Sequence, residues 1–296
     1  MPKYPFIQVD AFTERPLGGN PCAVLFDSDD MNDDRMLAIA REMNLSETAF
    51  VRRSEIADFG ARYFTPAEEI PLAGHPTIAT VYALTQTGRI NTIGALTTIS
   101  LELKAGVIPV EIHVACGLVT EIVMSQNKPQ FLNQHDPTEV MPLFGLEPGD
   151  ALPGAPIQTV STGTPQLMLP VRDLDTLRRV CLDIAAYERY RAESDFFSPH
   201  LFCTQGISQR GATFARHFGT PPDLMEDPFT GSATGGMAAY LWRYGLIDQP
   251  VFTAEQGHWM GRPGQASVEV VGPPEKIETV KVGGSAVTVL TGEFVL

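Results

Sequence analysis

The chain has 296 residues, of which 44% are hydrophobic and 19% charged. That is enough apolar material to bury a sizeable core in one large domain or two medium ones. A formal net charge of −14 with no cluster of lysines and arginines argues against a nucleic-acid partner, because phosphate binding needs concentrated positive charge.

The first residues lack the apolar stretch of a secretory signal, and no run reaches the roughly 18 apolar residues of a membrane span. Cys22, Cys116, Cys181 and Cys203 are scattered and form no CxxC pair. These features point to a cytoplasmic protein with reduced, packed thiols.

In chain order, PFIQVDAF alternates as a strand and runs through the turn-rich TERPLGGNP into a second strand, CAVLF. DDRMLAIAREMNL has helical spacing, with acids at its front where they suit the helix dipole. ETAFVRR and FGARYFT read as strands. GHPTIATVYALTQTG is small and apolar at helical spacing and closes at Gly88, a C-terminal cap position.

Residues 96–126 are strand-like and turn at Cys116-Gly117. The Pro-rich polar stretch from Asn127 to Pro156 reads as a crossover plus one short helix, with a domain boundary near residue 128. IQTVSTGTPQLMLPV and DFFSPHLFCT are strand candidates. DLDTLRRVCLDIAAYERY reads as one amphipathic helix, and TGSATGGMAAYLWRYG as a second small-residue helix stopped by Gly245. The tail ends as a hairpin around Gly283-Gly284.

The two small-residue helices belong to a repeat. Pro71 and Pro228 lie 157 positions apart, and the same offset pairs Glu69 with Glu226, Gly74 with Gly231, Thr77 with Thr234, Leu84 with Leu241 and Gly88 with Gly245. ARYF at 61–64 resembles ARHF at 215–218, three residues out of step. A real repeat makes two similar halves about a pseudo-twofold axis and brings two helix N-termini face to face. Each N-terminus carries unpaired N–H groups and about half a positive charge. Together they suit an anion, above all a carboxylate, between Gly74-His75 and Gly231-Ser232.

GGNPCAV, NLSETAFV at 44–51, RYFTP and LAGHPT within 62–77, VSTGTPQLMLPV and EDPFTGSATGGMAAYL at 226–241 keep the order of motifs seen in one family. On these residues the chain resembles the phenazine biosynthesis PhzF-like family over essentially its whole length.

The resemblance implies an α+β, diaminopimelate epimerase-like fold. Two pseudo-symmetric halves, each a β-barrel-like sheet around a central helix, would flank the active site. The expected N-terminal half is 1–127, with 279–296 returning to it, and the C-terminal half is 128–278. The resemblance also implies a homodimer and a cofactor-independent isomerase that moves a proton on a small carboxylate metabolite.

By the same resemblance Glu47 is the proton shuttle and His75, Asp227 and Ser232 complete the catalytic set. Gly74, Gly231, Asn20, Thr162 and Gly163 are expected to line the substrate cleft. The residues themselves allow plainer roles. Glu47 sits between a helix and an apolar strand, where burial would raise its pKa, but local sequence equally fits an exposed glutamate. His75 fits a packed or capping histidine, and Ser232 fits an N-cap.

Paired cysteines at the helix starts would mark a two-thiol epimerase, and those places hold His75 and Ser232. There is no nucleophile elbow, P-loop or dinucleotide fingerprint, and the histidines show no metal-binding spacing. A cysteine-independent epimerase or lyase on an amino-acid-like substrate stays open, as does a metabolite-binding protein without turnover.

Overall fold

Two helical segments that carry a single Lys, Arg, Asp or Glu between them, Arg243, are buried in the molecule, and the alternating segments form strands that pack on them. The computed structural model describes all of residues 1–296 and is a sheet-dominated α+β fold. The first stretch runs β1 (Lys3–Ala11), β2 (Asn20–Leu25), α1 (Asp33–Met43), β3 (Glu47–Arg52), β4 (Phe59–Phe64), β5 (Glu69–Ile70), α2 (Gly74–Gln86), β6 (Leu96–Leu103), β7 (Gly106–Ala115) and β8 (Leu118–Ser125). The next runs β9 (Gln130–His135), α3 (Pro137–Val140), β10 (Ile157–Ser161), β11 (Pro165–Pro170), α4 (Leu174–Arg179), α5 (Ile184–Ala192) and β12 (Ser198–Cys203). The chain ends with β13 (Gly211–Phe218), β14 (Glu226–Asp227), α6 (Gly231–Arg243), β15 (Val251–Gln256), β16 (Gly264–Val271), β17 (Thr279–Gly284) and β18 (Ala286–Val295).

The segments related by the 157-residue offset fold alike. α2 and α6 are each 13 residues long, and ten residues of each are buried. A helix apolar on every face has to be enclosed, and α2 packs on β1, β2, β3 and β8 while α6 packs on β10, β11, β16 and β17. Each helix ends at a glycine in the left-handed region, Gly88 at φ 67° and Gly245 at φ 63°, where a side chain would be strained.

Strand pairing repeats as well. β2 runs parallel to β3 with Cys22 opposite Glu47, and β11 runs parallel to β12 with Gln166 opposite Ser198. Arg62 pairs with Glu69 at 2.7 Å and lies over Phe64, while Arg216 pairs with Glu226 at 2.8 Å and lies over Phe218.

Several sequence expectations need correction. The tail is not a hairpin: β17 pairs with β16 and β8, and β18 pairs with β1. The stretch after residue 127 holds a strand, β9, which pairs with β10. The expected long amphipathic helix is broken into α4 and α5. The amides of Cys181 and Asp183 donate to the carbonyls of Phe144 and Leu143, and the Asp183 side chain restarts the helix by capping Ala186 N. Strand β15, unforeseen in the sequence, lies parallel to β13.

Candidate active site

Local folding brings the motif residues to one place. Glu47 opens β3, separated by Leu45 and Ser46 from the left-handed Asn44 that ends α1. His75 is the second residue of α2, Asp227 closes the short β14, and Ser232 is the second residue of α6. The two helix starts touch: a methyl group on Gly74 would lie 2.8 Å from Gly231 Cα and 3.0 Å from Ser232 N. Only glycine permits that approach. The contact corrects one expectation, because no anion fits directly between Gly74 and Gly231. An anion has room beside them, in an adjoining cavity of about 300 Å³ whose wall includes Ala73, Gly163 and Ser232.

Neither helix start carries a capping side chain. Ala73 precedes α2, and Thr230, which precedes α6, turns its hydroxyl to Asp227 Oδ2 instead. Ser232 therefore is not the N-cap the sequence suggested. It is the second residue of the helix, within the first turn, and lines the cavity. The first-turn N–H groups of both helices are left for another partner.

Glu47 lines the same cavity, its side chain 16% exposed. Burial pushes its carboxyl well above the usual carboxylate range, and the charges of Asp227 and Asp223 push the same way. His75 Nε2 lies 3.1 Å from Glu47 Oε2, but the angles are not those of a hydrogen bond, and both atoms are sealed from water without a partner. Burial lowers the His75 pKa to about 3, so the ring is neutral and the contact is not an ion pair.

Asn20 fixes the tautomer. Its Nδ2 donates to Asp227 Oδ1 at 2.7 Å and to the Phe229 carbonyl at 2.8 Å, and it faces His75 Nδ1 at 3.0 Å. Flipping the amide would set oxygen against two acceptors. His75 Nδ1 therefore presents its lone pair, and the proton sits on Nε2, toward Glu47. Asp227 also accepts from Ser46 Oγ at 2.6 Å. Burial raises its pKa against the lowering pull of Ser46, Thr230 and Asn20.

The expected residues thus fall into two groups. Glu47, Asp227, Ser232 and Gly163 line the cavity. His75, Gly74 and Gly231 lie immediately beneath them, in contact with Glu47 or with each other. Asn20 is completely buried and braces His75 and Asp227 from behind. Thr162 is also buried and donates to Gln126 Oε1 at 2.5 Å, while Gln126 Nε2 donates to the Gly231 carbonyl at 2.9 Å.

Sequence reading missed Ser46, Gln126, Gln256 and a polar wall made by Gln166, Ser198 and His217. Ser46 stood inside the LSET motif beside Glu47. Gln256, which binds the Asp227 carbonyl through Nε2 at 2.7 Å, lies on the unforeseen β15. Phe197 is 36% exposed and lines the cavity.

The chain is 34% identical over 266 residues to the protein of Bacillus subtilis named uncharacterized isomerase YfhB, covering 89% of each. It is 34% identical over 297 residues to trans-2,3-dihydro-3-hydroxyanthranilate isomerase of Pseudomonas fluorescens, covering 98% of this chain and 99% of the relative. The crystal structure of the Bacillus anthracis phenazine biosynthesis protein, PhzF family, matches the whole of both chains with a TM-score of 0.88 at 32% identity. Relatives named isomerases along nearly the whole chain define an isomerase. The family model for phenazine biosynthesis-like proteins matches residues 9–292, and the chain belongs to that family.

Proposed function

We propose that the protein is a cofactor-independent isomerase that moves a proton on a small carboxylate metabolite, with Glu47 as the acid and base. The observation that carries this reading is the Glu47–His75 contact at the wall of the cavity. A buried carboxyl with a raised pKa takes and returns a proton near neutral pH. A neutral imidazole 3.1 Å from it does not compete for the proton.

The uncapped starts of α2 and α6 and the Ser232 hydroxyl would hold the substrate carboxylate. Asp227 would hold a hydroxyl or amine. Five carboxyls line the cavity, Glu47, Glu68, Glu69, Asp223 and Asp227, with no lysine or arginine among them, which favours a substrate that also carries an amine. The named substrate of the Pseudomonas fluorescens relative, a hydroxyanthranilate, has both groups.

The reading extends to the fold. Residues 1–127 with the returning C-terminal segment, and residues 128–278, would be two pseudo-symmetric, epimerase-like halves with the cavity between them. Matching β2–β3–β4–β5–α2 and β11–β12–β13–β14–α6 pairings support that division.

The test uses trans-2,3-dihydro-3-hydroxyanthranilate as first substrate in deuterated water, followed by NMR. Wild type should incorporate solvent deuterium at one carbon, and Glu47→Gln should slow this by about 10²–10⁴-fold. Exchange at the wild-type rate in Glu47→Gln would end the proposal.

A further inference from the structure

The cavity has a second polar wall that the proton shuttle does not use. Ser198 opens β12 as Glu47 opens β3, and it lies opposite Gln166 of β11. Ser198 Oγ is 2.6 Å from Gln166 Oε1 and 2.9 Å from His217 Nε2, and His217 Nδ1 is 3.3 Å from His200 Nδ1. Gln166, Ser198 and His217 line the cavity although each is more than nine-tenths buried.

This row has a direction. His200 Nε2 is sealed in the core without a partner. If it carried a proton, the molecule would bury an N–H with no carboxylate beside it, unlike His75 Nε2, which has Glu47 Oε2 at 3.1 Å to turn to. The proton therefore sits on His200 Nδ1 and is donated to His217 Nδ1. His217 then donates from Nε2 to Ser198 Oγ, and Ser198 donates to Gln166 Oε1. Burial keeps both rings neutral, as this order requires. The Gln166 amide is thereby held with its oxygen occupied, and its nitrogen has no partner within the chain.

The rest of the lining is rich in acceptors. Ser46 and Thr230 direct their hydroxyl protons to Asp227, and Thr65 directs its own to the Glu68 carbonyl. Gln166 is the cavity's one side-chain amide.

We propose that Gln166, held nitrogen-outward by Ser198, His217 and His200, is a specificity-determining hydrogen-bond donor that selects carboxylates bearing a second oxygen acceptor. The inference rests on the reading of this cavity as the substrate site.

The experiment is a calorimetric titration with cyclohexanecarboxylate and its 3-oxo and 4-oxo derivatives, which add only an acceptor. Wild type should bind one oxo acid about five- to tenfold more tightly than the parent. Gln166→Met should bring that ratio to about one, and Gln166→Glu should invert it. Should Gln166→Met fail to fold, Ser198→Ala decides: the freed amide can turn over, and the ratio should fall to less than half its wild-type value.

No preference in wild type, or an unchanged ratio in a folded variant, overturns the inference. Deuterium exchange measured on the same preparations separates the two ideas. Exchange that depends on Glu47 without the preference overturns this inference alone. The preference without such exchange overturns the shuttle and supports this one.

Discussion

Gly74 and Gly231 meet backbone to backbone, so closely that a methyl on Gly74 would lie 2.8 Å from Gly231 Cα. Two helix starts of like polarity are pressed together, and neither carries a capping side chain or an acid in its first turn. That contact concentrates positive potential at the edge of the cavity. Gly74→Ala should force the helices apart, because the atoms it meets are backbone. The expected cost is about 1–3 kcal/mol, with a loss of exchange activity. Thermal denaturation and deuterium exchange check both, and a variant equal to wild type in both would show that the close approach is dispensable.

Asn20 couples the first helix start to Asp227. Asn20→Leu removes the donor that faces His75 Nδ1, Asp227 Oδ1 and the Phe229 carbonyl. Leaving buried acceptors unpaired costs about 1–3 kcal/mol each. His75 also loses the partner that selects its tautomer, so kcat should fall more than KM rises. Steady-state kinetics on a preparation shown to be folded by circular dichroism test this. A change in KM alone would assign Asn20 to substrate binding.

The pH–rate profile distinguishes the two members of the Glu47–His75 contact. Glu47 must be ionised to accept a proton, and its pKa is raised. The acid limb of kcat/KM should therefore lie above the ordinary glutamate value of about 4.3. His75, held down to about 3, should contribute no limb near 6.5. The control is His75→Asn: the acid limb should persist in it, and its disappearance would mean that the histidine titrates.

Stability should also depend on pH through the buried histidines. His75 and His217 have folded pKa values of about 3, and His200 is lowered as well. Below the unfolded value near 6.5, the unfolded chain binds protons that the folded chain refuses. Stability is lost as pH falls from about 6.5 toward 3, by roughly 1.4 kcal/mol per pH unit for each histidine. Urea denaturation between pH 6.5 and 4.5 should show a slope that His200→Leu reduces. An identical slope in the variant would mean that His200 accepts its proton in the folded state.

Much of this site was legible in the sequence because it depends on short-range signals. The glycines of GHPT and TGSATGG, the offset shared by Gly74 and Gly231, and LSET before an apolar strand are all local patterns. Cys116-Gly117 was legible for the same reason: both residues are left-handed, at φ 53° and 77°, as a tight hairpin turn needs. What escaped depends on contacts between distant segments. Gln256 reaches Asp227 from a strand 29 positions away, and the Gln166–Ser198 wall exists only because β11 and β12 lie in parallel register. The single amphipathic helix expected across 173–190 fails at Cys181 and Asp183, where carbonyls of Leu143 and Phe144 capture the backbone.

The crossing of β9 and β18 has a mechanical consequence. β9 leaves β8 to pair with β10, β18 leaves β17 to pair with β1, and β8 and β17 bond to each other. A cut near residue 128 would hand each fragment an open sheet edge that its own sequence cannot close. The β8–β17 ladder with its two crossing segments is woven cloth and not a strap.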